Sequence, residues 1–376
     1  MPSRVSIIKN KIKSSIPAFG KLLGVNILSK NGTREFLSPY MVYRSEGEKI
    51  YVPQSKVWGE GPKAFEEEII GASELIGAYA VPGDKVKVYK HGGVKVEKNV
   101  LNLDFGSTQF LKSFINIDKR EVIHVEDCMP VWSHYWGAYF DFLFFMYGKA
   151  LRIASVLTEE QRHNIKIAYP LANTAYEKQL WEIAGFSMDQ IIDTRKYKIK
   201  AKTFYLSNNP SWFYHHMDDI ERLQQVISRV KIEPRPGEEF IYISRKGKRI
   251  VRNEDEIIEV LKKFNFTILE DKPRTNAEQM AIFNNAKIII GPHGAAYANI
   301  VWCKPKTHLV ELFAKNYYLP YYRYLAVKLD LNYSAIFENN VEDTHYSHLY
   351  EDMTIDPQRV QQALEEIMAS LKSKDK

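Results

Sequence analysis

Cysteine is scarce in this chain, with Cys128 and Cys303 the only two among 376 residues. They fall in different predicted halves and no Cys-x-x-Cys pair occurs. That excludes a disulfide framework and a thiolate zinc site, and it points to a reducing compartment. Long apolar runs are also missing. No stretch of about 18 apolar residues is present, so no segment is expected to span a bilayer. The N-terminus has neither the apolar core nor the small-residue cleavage site of a signal peptide. Charge of one sign is only slightly in excess, Lys plus Arg numbering 52 against 46 Asp plus Glu, a net charge of +6. Such an excess favours nucleotides, phospholipid headgroups or acidic glycans as partners and is too small and dispersed to indicate nucleic acid. There is no internal repeat and no low-complexity tract. No carboxylate cluster with metal-ligand spacing follows a predicted strand, so no metal is expected.

Apolar residues make up 45% of the chain and charged residues 26%, as in folded soluble proteins, and the length suits two domains. Aromatic residues reach 13%, with 23 Tyr; their faces suit sugar rings and equally suit an ordinary core. The basic start has Val5, Ile8 and Ile12 at helical spacing beside Lys9, Lys11 and Lys13. It reads either as a helix lying on an anionic membrane or as an ordinary charged first helix.

Further along, 52–100 is irregular and β-rich, with helical spacing over Glu66 to Ala80 and a hairpin in which Val86–Tyr89 and Val94–Val96 flank Lys90-His-Gly-Gly93. Val122–Val125 reads as a short buried strand. Trp136 to Val156 reads as a buried aromatic helix, Ile165–Ala168 as a strand and Asn173 to Ala184 as a helix capped by Gly185. Ile191-Ile192 and Thr203–Leu206 read as strands and His215 to Val230 as a helix. Glu233-Pro-Arg-Pro-Gly-Glu-Glu239 breaks the pattern and reads as a linker. Strands are then expected at Phe240–Ser244, Phe266–Leu269, Lys287–Ile290 and Leu309–Phe313. They alternate with helices over Asn253–Phe264, Asn276–Asn285 and a short one ending at Val301, and a final helix covers Pro357–Leu371. Alternation of this kind implies parallel, doubly wound sheets whose ligands sit at the carboxyl ends of the strands. The expected division is 1–232, 240–350 and a C-terminal helix over 357–376 packing back on the N-terminal domain.

Gly291-Pro-His-Gly294-Ala-Ala joins a buried strand to a helix. Glycines there admit close backbone approach, and the helix start presents N–H groups to an anion. His293 can donate to a phosphate oxygen; the plainer alternative is a β–α turn with a satisfied histidine. Arg245 ends the first strand of this half, where a guanidinium fork matches phosphate. Lys246, Lys248, Arg249 and Arg252 follow on the same loop, with Lys248 and Arg249 reading as solvated charges. Glu311 sits inside an apolar strand, where a carboxylate is costly unless paired; it serves either to accept from ribose hydroxyls or to form a buried ion pair.

These features, Tyr242-Ile-Ser-Arg245, Arg252-Asn-Glu254, Glu278-Gln279, Ile290-Gly-Pro-His-Gly-Ala295, Asn299 and Val310-Glu311, resemble glycosyltransferase family 61 in order and spacing. The resemblance is close over Phe240–Phe313 and looser before it. It implies an α/β chain of GT-B type, two Rossmann-like domains facing a cleft, with an inverting mechanism, no obligatory metal or other cofactor and a UDP-sugar donor. Bacterial members are described as capsular or exopolysaccharide biosynthesis proteins, and a cytoplasmic enzyme, either free or peripheral at the inner face of the membrane through its basic N-terminus, fits this chain. The family pattern places Arg245 and His293 at the diphosphate and Asn299 and Glu311 at the nucleoside, with Gln279 supporting the cleft. The expected donor-binding set is Arg245, Lys246, Arg252, Gln279, Pro292, His293, Gly294, Ala295, Asn299 and Glu311.

Inverting transfer needs a base for the acceptor hydroxyl. Candidates lie in Val125 to Asp141: Asp141 and His134 together, then Glu126 and Asp127. Members of the family show Asn-x-x-His followed by an aromatic residue and a carboxylate here. In this chain Gly137 occupies the histidine position and His134 that of the asparagine. Trp132, Tyr135 and Trp136 are aromatic faces for a sugar or for the core. An inactive nucleotide- or glycan-binding partner in polysaccharide assembly is the other open reading.

Overall fold

The computed structural model describes Gly20 and residues 24–70, 75–104, 118–133, 137–209 and 211–374. The basic N-terminal segment and the candidates His134, Tyr135 and Trp136 lie outside the described residues. The chain divides into two compact units, Met1–Gly47 with Glu74–Trp212, and Glu48–Ser73 with Phe213–Lys376. The division therefore falls at Trp212 and Phe213 rather than near 232, and a segment from the N-terminal third belongs to the second unit. The prolines and glycine of 233–239 mark a hydrogen-bonded loop inside that unit. Asn285 donates to the Arg235 carbonyl at 2.9 Å, Thr267 to the Gly237 carbonyl at 3.1 Å, and the Lys287 N–H to the Glu239 carbonyl at 2.7 Å.

The first unit is built on a six-stranded sheet in the order Ile191–Asp193, Lys166–Tyr169, Glu121–Pro130, Tyr197–Ser207, Ile76–Pro82, Met41–Ser45. The first four strands are mutually parallel; Ile76–Pro82 runs antiparallel to them, and Met41–Ser45 pairs antiparallel with Ile76–Pro82. The expected hairpin Val86–Val88 with Val94–Val96 forms within a smaller sheet. Helical spacing over Glu66–Ala80 misled: Glu68–Ile70 and Ile76–Pro82 are strands. Pairing with Ile50–Val52 and with Thr203–Ser207 prevails over local periodicity there. The strand at Val122–Val125 is longer than expected, Glu121–Pro130, and its first half is not buried, with Val122 46% exposed. The aromatic stretch does form a buried helix. Tyr139–Asp141 leads into a π-helical turn, Phe142–Tyr147, and then Gly148–Ala154. Phe142, Tyr147, Tyr169 and Trp181 pack there ring to ring. The helix Ala175–Ala184 ends on Gly185, whose φ of 86° is the left-handed cap that glycine supplies without strain.

The second unit carries a six-stranded sheet in the order Thr267–Leu269, Phe240–Ile243, Ile288–Pro292, His308–Phe313, Asn332–Phe337, Lys56–Trp58. All of its pairings are parallel. Its strands read as nearly unbroken apolar runs because helices cover both faces. Leaving aside the Lys56–Trp58 edge strand, chain order runs second, first, third, fourth, fifth across the sheet. The direction of winding thus reverses between Phe240–Ile243 and Ile288–Pro292, and the crevice at the carboxyl ends of those two strands is the expected ligand site. The C-terminal helix Pro357–Lys374 belongs to the second unit and packs on its sheet. Val360, Ala363, Leu364 and Ile367 bury against Tyr242, Ile257, Val310 and Ile336 of the second. Glu366 on that helix also accepts from the Trp58 indole at 3.2 Å and pairs with Lys56 at 3.0 Å. Both cysteines are free and buried. No described helix is long and apolar enough to cross a membrane.

Candidate functional site

Arg245 leaves the Phe240–Ile243 strand at the switch point and reaches across to the neighbouring strand end. Its Nη1 donates to the carbonyl oxygen of His293 at 3.0 Å. Gly294 makes this approach possible. Its backbone is extended, φ 174°, so conformation alone does not require glycine. Space does, because a Cβ on residue 294 would sit 1.6 Å from Arg245 Nη1. Burial, and then the neighbouring charge of Arg249, push the Arg245 guanidinium down to about 10. Arg249 stacks over the Tyr317 ring at 5.7 Å, and its Nε is buried without a hydrogen-bond acceptor among the described residues. It is therefore not the solvated charge its sequence context suggested. The buried Arg245 guanidinium lies within range of the Arg249 charge, and neither arginine forms an ion pair with a carboxylate among the described residues. An anion between or beside them would relieve the repulsion.

His293 forms the other wall. It is 3% exposed, and its Nδ1 lies 2.5 Å from Oε1 of Glu311, which is 0% exposed. The second carboxylate oxygen of Glu311 accepts from Tyr333 Oη at 2.7 Å. Glu311 is thus a buried, paired carboxylate, the alternative to ribose binding that its strand position allowed. The His293 ring stacks on Phe313 at 5.3 Å and meets Tyr321 at 5.7 Å and Tyr322 at 5.5 Å. Burial lowers the imidazole's affinity for a second proton; Glu311 raises it, while Arg249 and Arg245 lower it further. Tyr322 Oη donates to the Gly294 carbonyl at 2.8 Å and Tyr297 Oη to the Gly291 carbonyl at 2.8 Å, so the turn is pinned from both sides. The exposed Ala295 and Ala296 open the 3₁₀ helix Ala295–Trp302, whose first N–H groups have no intrahelical acceptor.

The remaining motif residues brace this arrangement. Tyr242 Oη and Ser244 Oγ both donate to Glu254, at 2.9 and 3.2 Å, which ties the Arg245 strand to the first turn of helix Glu254–Lys262. Asn253 donates to the Ile355 carbonyl at 2.8 Å and accepts from the Ile355 N–H at 3.1 Å; the Arg252 N–H donates to Met353 at 2.8 Å. Arg252 and Lys246 have exposed side chains, and the Lys246 N–H donates to Asp271 at 3.1 Å. Asn299, expected at the nucleoside, is buried. Its amide donates to Gln279 at 2.9 Å and to the Ala296 carbonyl at 3.1 Å, and its oxygen accepts from the Trp302 indole at 3.2 Å. Asn299 and Gln279 therefore join two helices behind the turn. Pro292 is buried at the strand end, paired with Leu312.

Arg323, with Phe65, fixes the segment taken from the N-terminal third. Its buried guanidinium donates to Ser55 Oγ at 2.8 Å, to the carbonyls of Pro53 and Ala64 at 2.9 Å each, to that of Glu66, and to the Glu68 carboxylate at 2.7 Å. Phe65 stacks on Tyr333 at 6.2 Å and meets Phe313 edge-on at 5.6 Å. Tyr317, Tyr321, Tyr322 and Tyr333 were not singled out from sequence, although the tyrosine-rich run 317–324 was a signal that could have found the first three.

In the first unit Asp141 is 4% exposed, in the turn where the aromatic helix begins, beside Phe140 and Tyr139. Burial, first among several causes, pushes the Tyr176 hydroxyl up, with Asp141 contributing. Glu126 stands on the exposed face of its strand, paired with Lys202 at 2.6 Å. Asp127 is half-buried, and burial raises its carboxyl above the usual range. No cluster of three or more His, Cys, Asp or Glu that could hold a metal is found among the described residues.

A search of curated proteins finds no match. The sequence model described as Glycosyltransferase 61 matches residues 33–310, a span that contains the Arg245 strand, the His293 turn and Asn299 and ends one residue before Glu311. That span is most of the chain, and the chain belongs to glycosyltransferase family 61.

Proposed function

We propose that this chain transfers a sugar from a nucleotide sugar, a UDP-sugar, to a glycan acceptor with inversion at the anomeric carbon and without a metal. The observation that carries the donor half is the pair Arg245 and Arg249, where the Arg245 guanidinium feels the Arg249 charge and neither forms an ion pair with a carboxylate among the described residues, at the switch point of a parallel sheet. A nucleoside diphosphate supplies the charge they need. In the reaction the acceptor oxygen attacks the anomeric carbon, the bond from that carbon to the diphosphate oxygen breaks, and charge accumulates on the departing diphosphate. Arg245, Arg249, His293 and the N–H groups at Gly294–Ala296 stabilise that charge as it grows.

The acceptor proton goes to a base, for which we propose Asp141 or His134. Glu126 is the weaker candidate, since Lys202 already neutralises its exposed carboxylate. A GT-B organisation belongs to this reading and is supported by each unit having its own largely parallel sheet. A role at the cytoplasmic face in surface polysaccharide synthesis is the biological setting proposed.

Incubation of the purified chain with a panel of UDP-, CMP-, GDP- and dTDP-sugars, read out as nucleotide release with and without glycan acceptors, tests the reading. Release from one donor class in the presence of EDTA, reduced about a hundredfold or more in Arg245→Ala, is expected. Nucleotide binding with no release under any acceptor would favour a non-catalytic binding partner instead.

A further inference from the structure

We propose that Glu311 and Tyr333 are positioning residues that act through His293, orienting its ring so that Nε2 faces the diphosphate as a donor, and that nucleotide binding is therefore coupled to proton uptake. The inference rests on the donor-site reading above.

An ionised carboxylate only accepts hydrogen bonds. With Glu311 Oε1 at 2.5 Å from Nδ1 and Tyr333 donating to Oε2 at 2.7 Å, the His293 proton belongs on Nδ1. A neutral ring held this way has a bare Nε2, which can accept from a donor but cannot give a proton to a phosphate oxygen. Only the imidazolium can. The groups around the ring divide as follows. From the loop after Phe240–Ile243, Arg245 and Arg249 oppose a second proton; from strand His308–Phe313, Glu311 favours it and Phe313 is neutral. From the segment that follows, Tyr317, Tyr321 and Tyr322 present aromatic rings; burial pushes the Tyr317 and Tyr321 hydroxyls up, so they stay protonated at neutral pH, and the Tyr322 hydroxyl donates to the Gly294 carbonyl. In the protein alone, burial and the arginines keep the ring below the ordinary histidine range. A diphosphate beside the same arginines offsets their charge and gives Nε2–H an acceptor, so the proton arrives with the ligand.

An apolar side chain at 311 would fill the same space without the desolvation cost of a carboxylate. What Glu311 adds is the ring orientation and the charge that makes the imidazolium affordable.

The test is calorimetry of UDP binding to the full chain in buffers of different ionisation enthalpy, at several pH values between 6 and 8, for wild type, Glu311→Gln and Tyr333→Phe. Protons exchanged by UDP itself are common to all three. Wild type is expected to take up on the order of one proton more than Glu311→Gln, and its UDP affinity to fall up to about tenfold more per pH unit. Tyr333→Phe keeps the charge, so it should retain the proton uptake with affinity reduced severalfold. Equal uptake and equal pH slopes in wild type and folded Glu311→Gln would overturn the proposal and leave Glu311 a packing residue.

Should Glu311→Gln not fold, nitrogen NMR of labelled histidine in wild type decides. UDP should convert the His293 ring to the doubly protonated form near neutral pH, and a neutral ring in the complex contradicts the coupling. Binding of UDP with no proton taken up removes only this inference, whereas failure of wild type to bind UDP removes the donor-site reading itself.

Discussion

The guanidinium of Arg245 occupies the space that a side chain on Gly294 would fill, with Nη1 1.6 Å from the ideal Cβ position and 3.0 Å from the His293 carbonyl oxygen. Glycine at 294 and arginine at 245 are therefore one structural unit formed by two strand ends. Gly294→Ala should leave the backbone unstrained, because its φ of 174° suits any residue. It should nonetheless expel the guanidinium. Loss of a charge-assisted contact of about 1.5–3 kcal/mol corresponds to roughly tenfold to a hundredfold weaker UDP binding. Titration calorimetry beside a thermal melt separates this outcome from unfolding.

Arg323 offers a stability test remote from the anion. It is fully buried and holds Pro53, Ser55, Ala64, Glu66 and Glu68 together. Arg323→Met keeps much of the volume but removes five part-buried hydrogen bonds, among them the one to the partly exposed Glu68 carboxylate. A loss of about 2–3 kcal/mol is expected, measured as a shift of the urea midpoint. A shift under about 1 kcal/mol would mean that this segment is held by Phe65 and the Lys56–Trp58 strand alone.

His215 gives a pH dependence with a definite sign. Burial pushes its imidazole down to about 3, from an ordinary value of 6.5. The unfolded chain therefore binds a proton below pH 6.5 that the folded chain refuses until about pH 3. Stability is full above the unfolded value and falls as pH drops through that window, by up to about 1.4 kcal/mol per pH unit. Denaturation midpoints from pH 7 to pH 4, wild type against His215→Gln, should show this slope only in wild type. Parallel curves would mean that the ring protonates without cost in the folded state.

Much of the second unit was legible because its strands are short apolar runs bounded by turn residues. Phe240–Ile243, Thr267–Leu269, Asn276–Asn285 and His308–Phe313 all fall within a residue or two of expectation. Arg245 and His293 could be paired in advance because each ends an expected strand and the family pattern places both at the diphosphate. The family pattern put Asn299 and Glu311 at the nucleoside, but their buried partners could not be read, since a polar residue on a strand or helix looks alike whether it meets a ligand or a buried partner. Their partners, Gln279 and Tyr333, lie 20 and 22 residues away. Arg249 was hidden by its own neighbours, four other basic residues in one loop. Only the fold shows that it turns inward over Tyr317. The placement of 48–73 in the second unit was also unreadable, because a single edge strand at Lys56–Trp58 and the clasp by Arg323 decide it.

If Arg245 and Arg249 form a diphosphate site, the dissociation constants of UDP and uridine for wild type and for Arg245→Gln/Arg249→Gln show it directly. Wild type should prefer UDP by about a hundredfold or more, with the preference reduced to within a few fold in the double variant while its melting temperature is maintained. Equal affinity of wild type for uridine and UDP, or an undiminished preference for UDP in the folded double variant, would contradict the account.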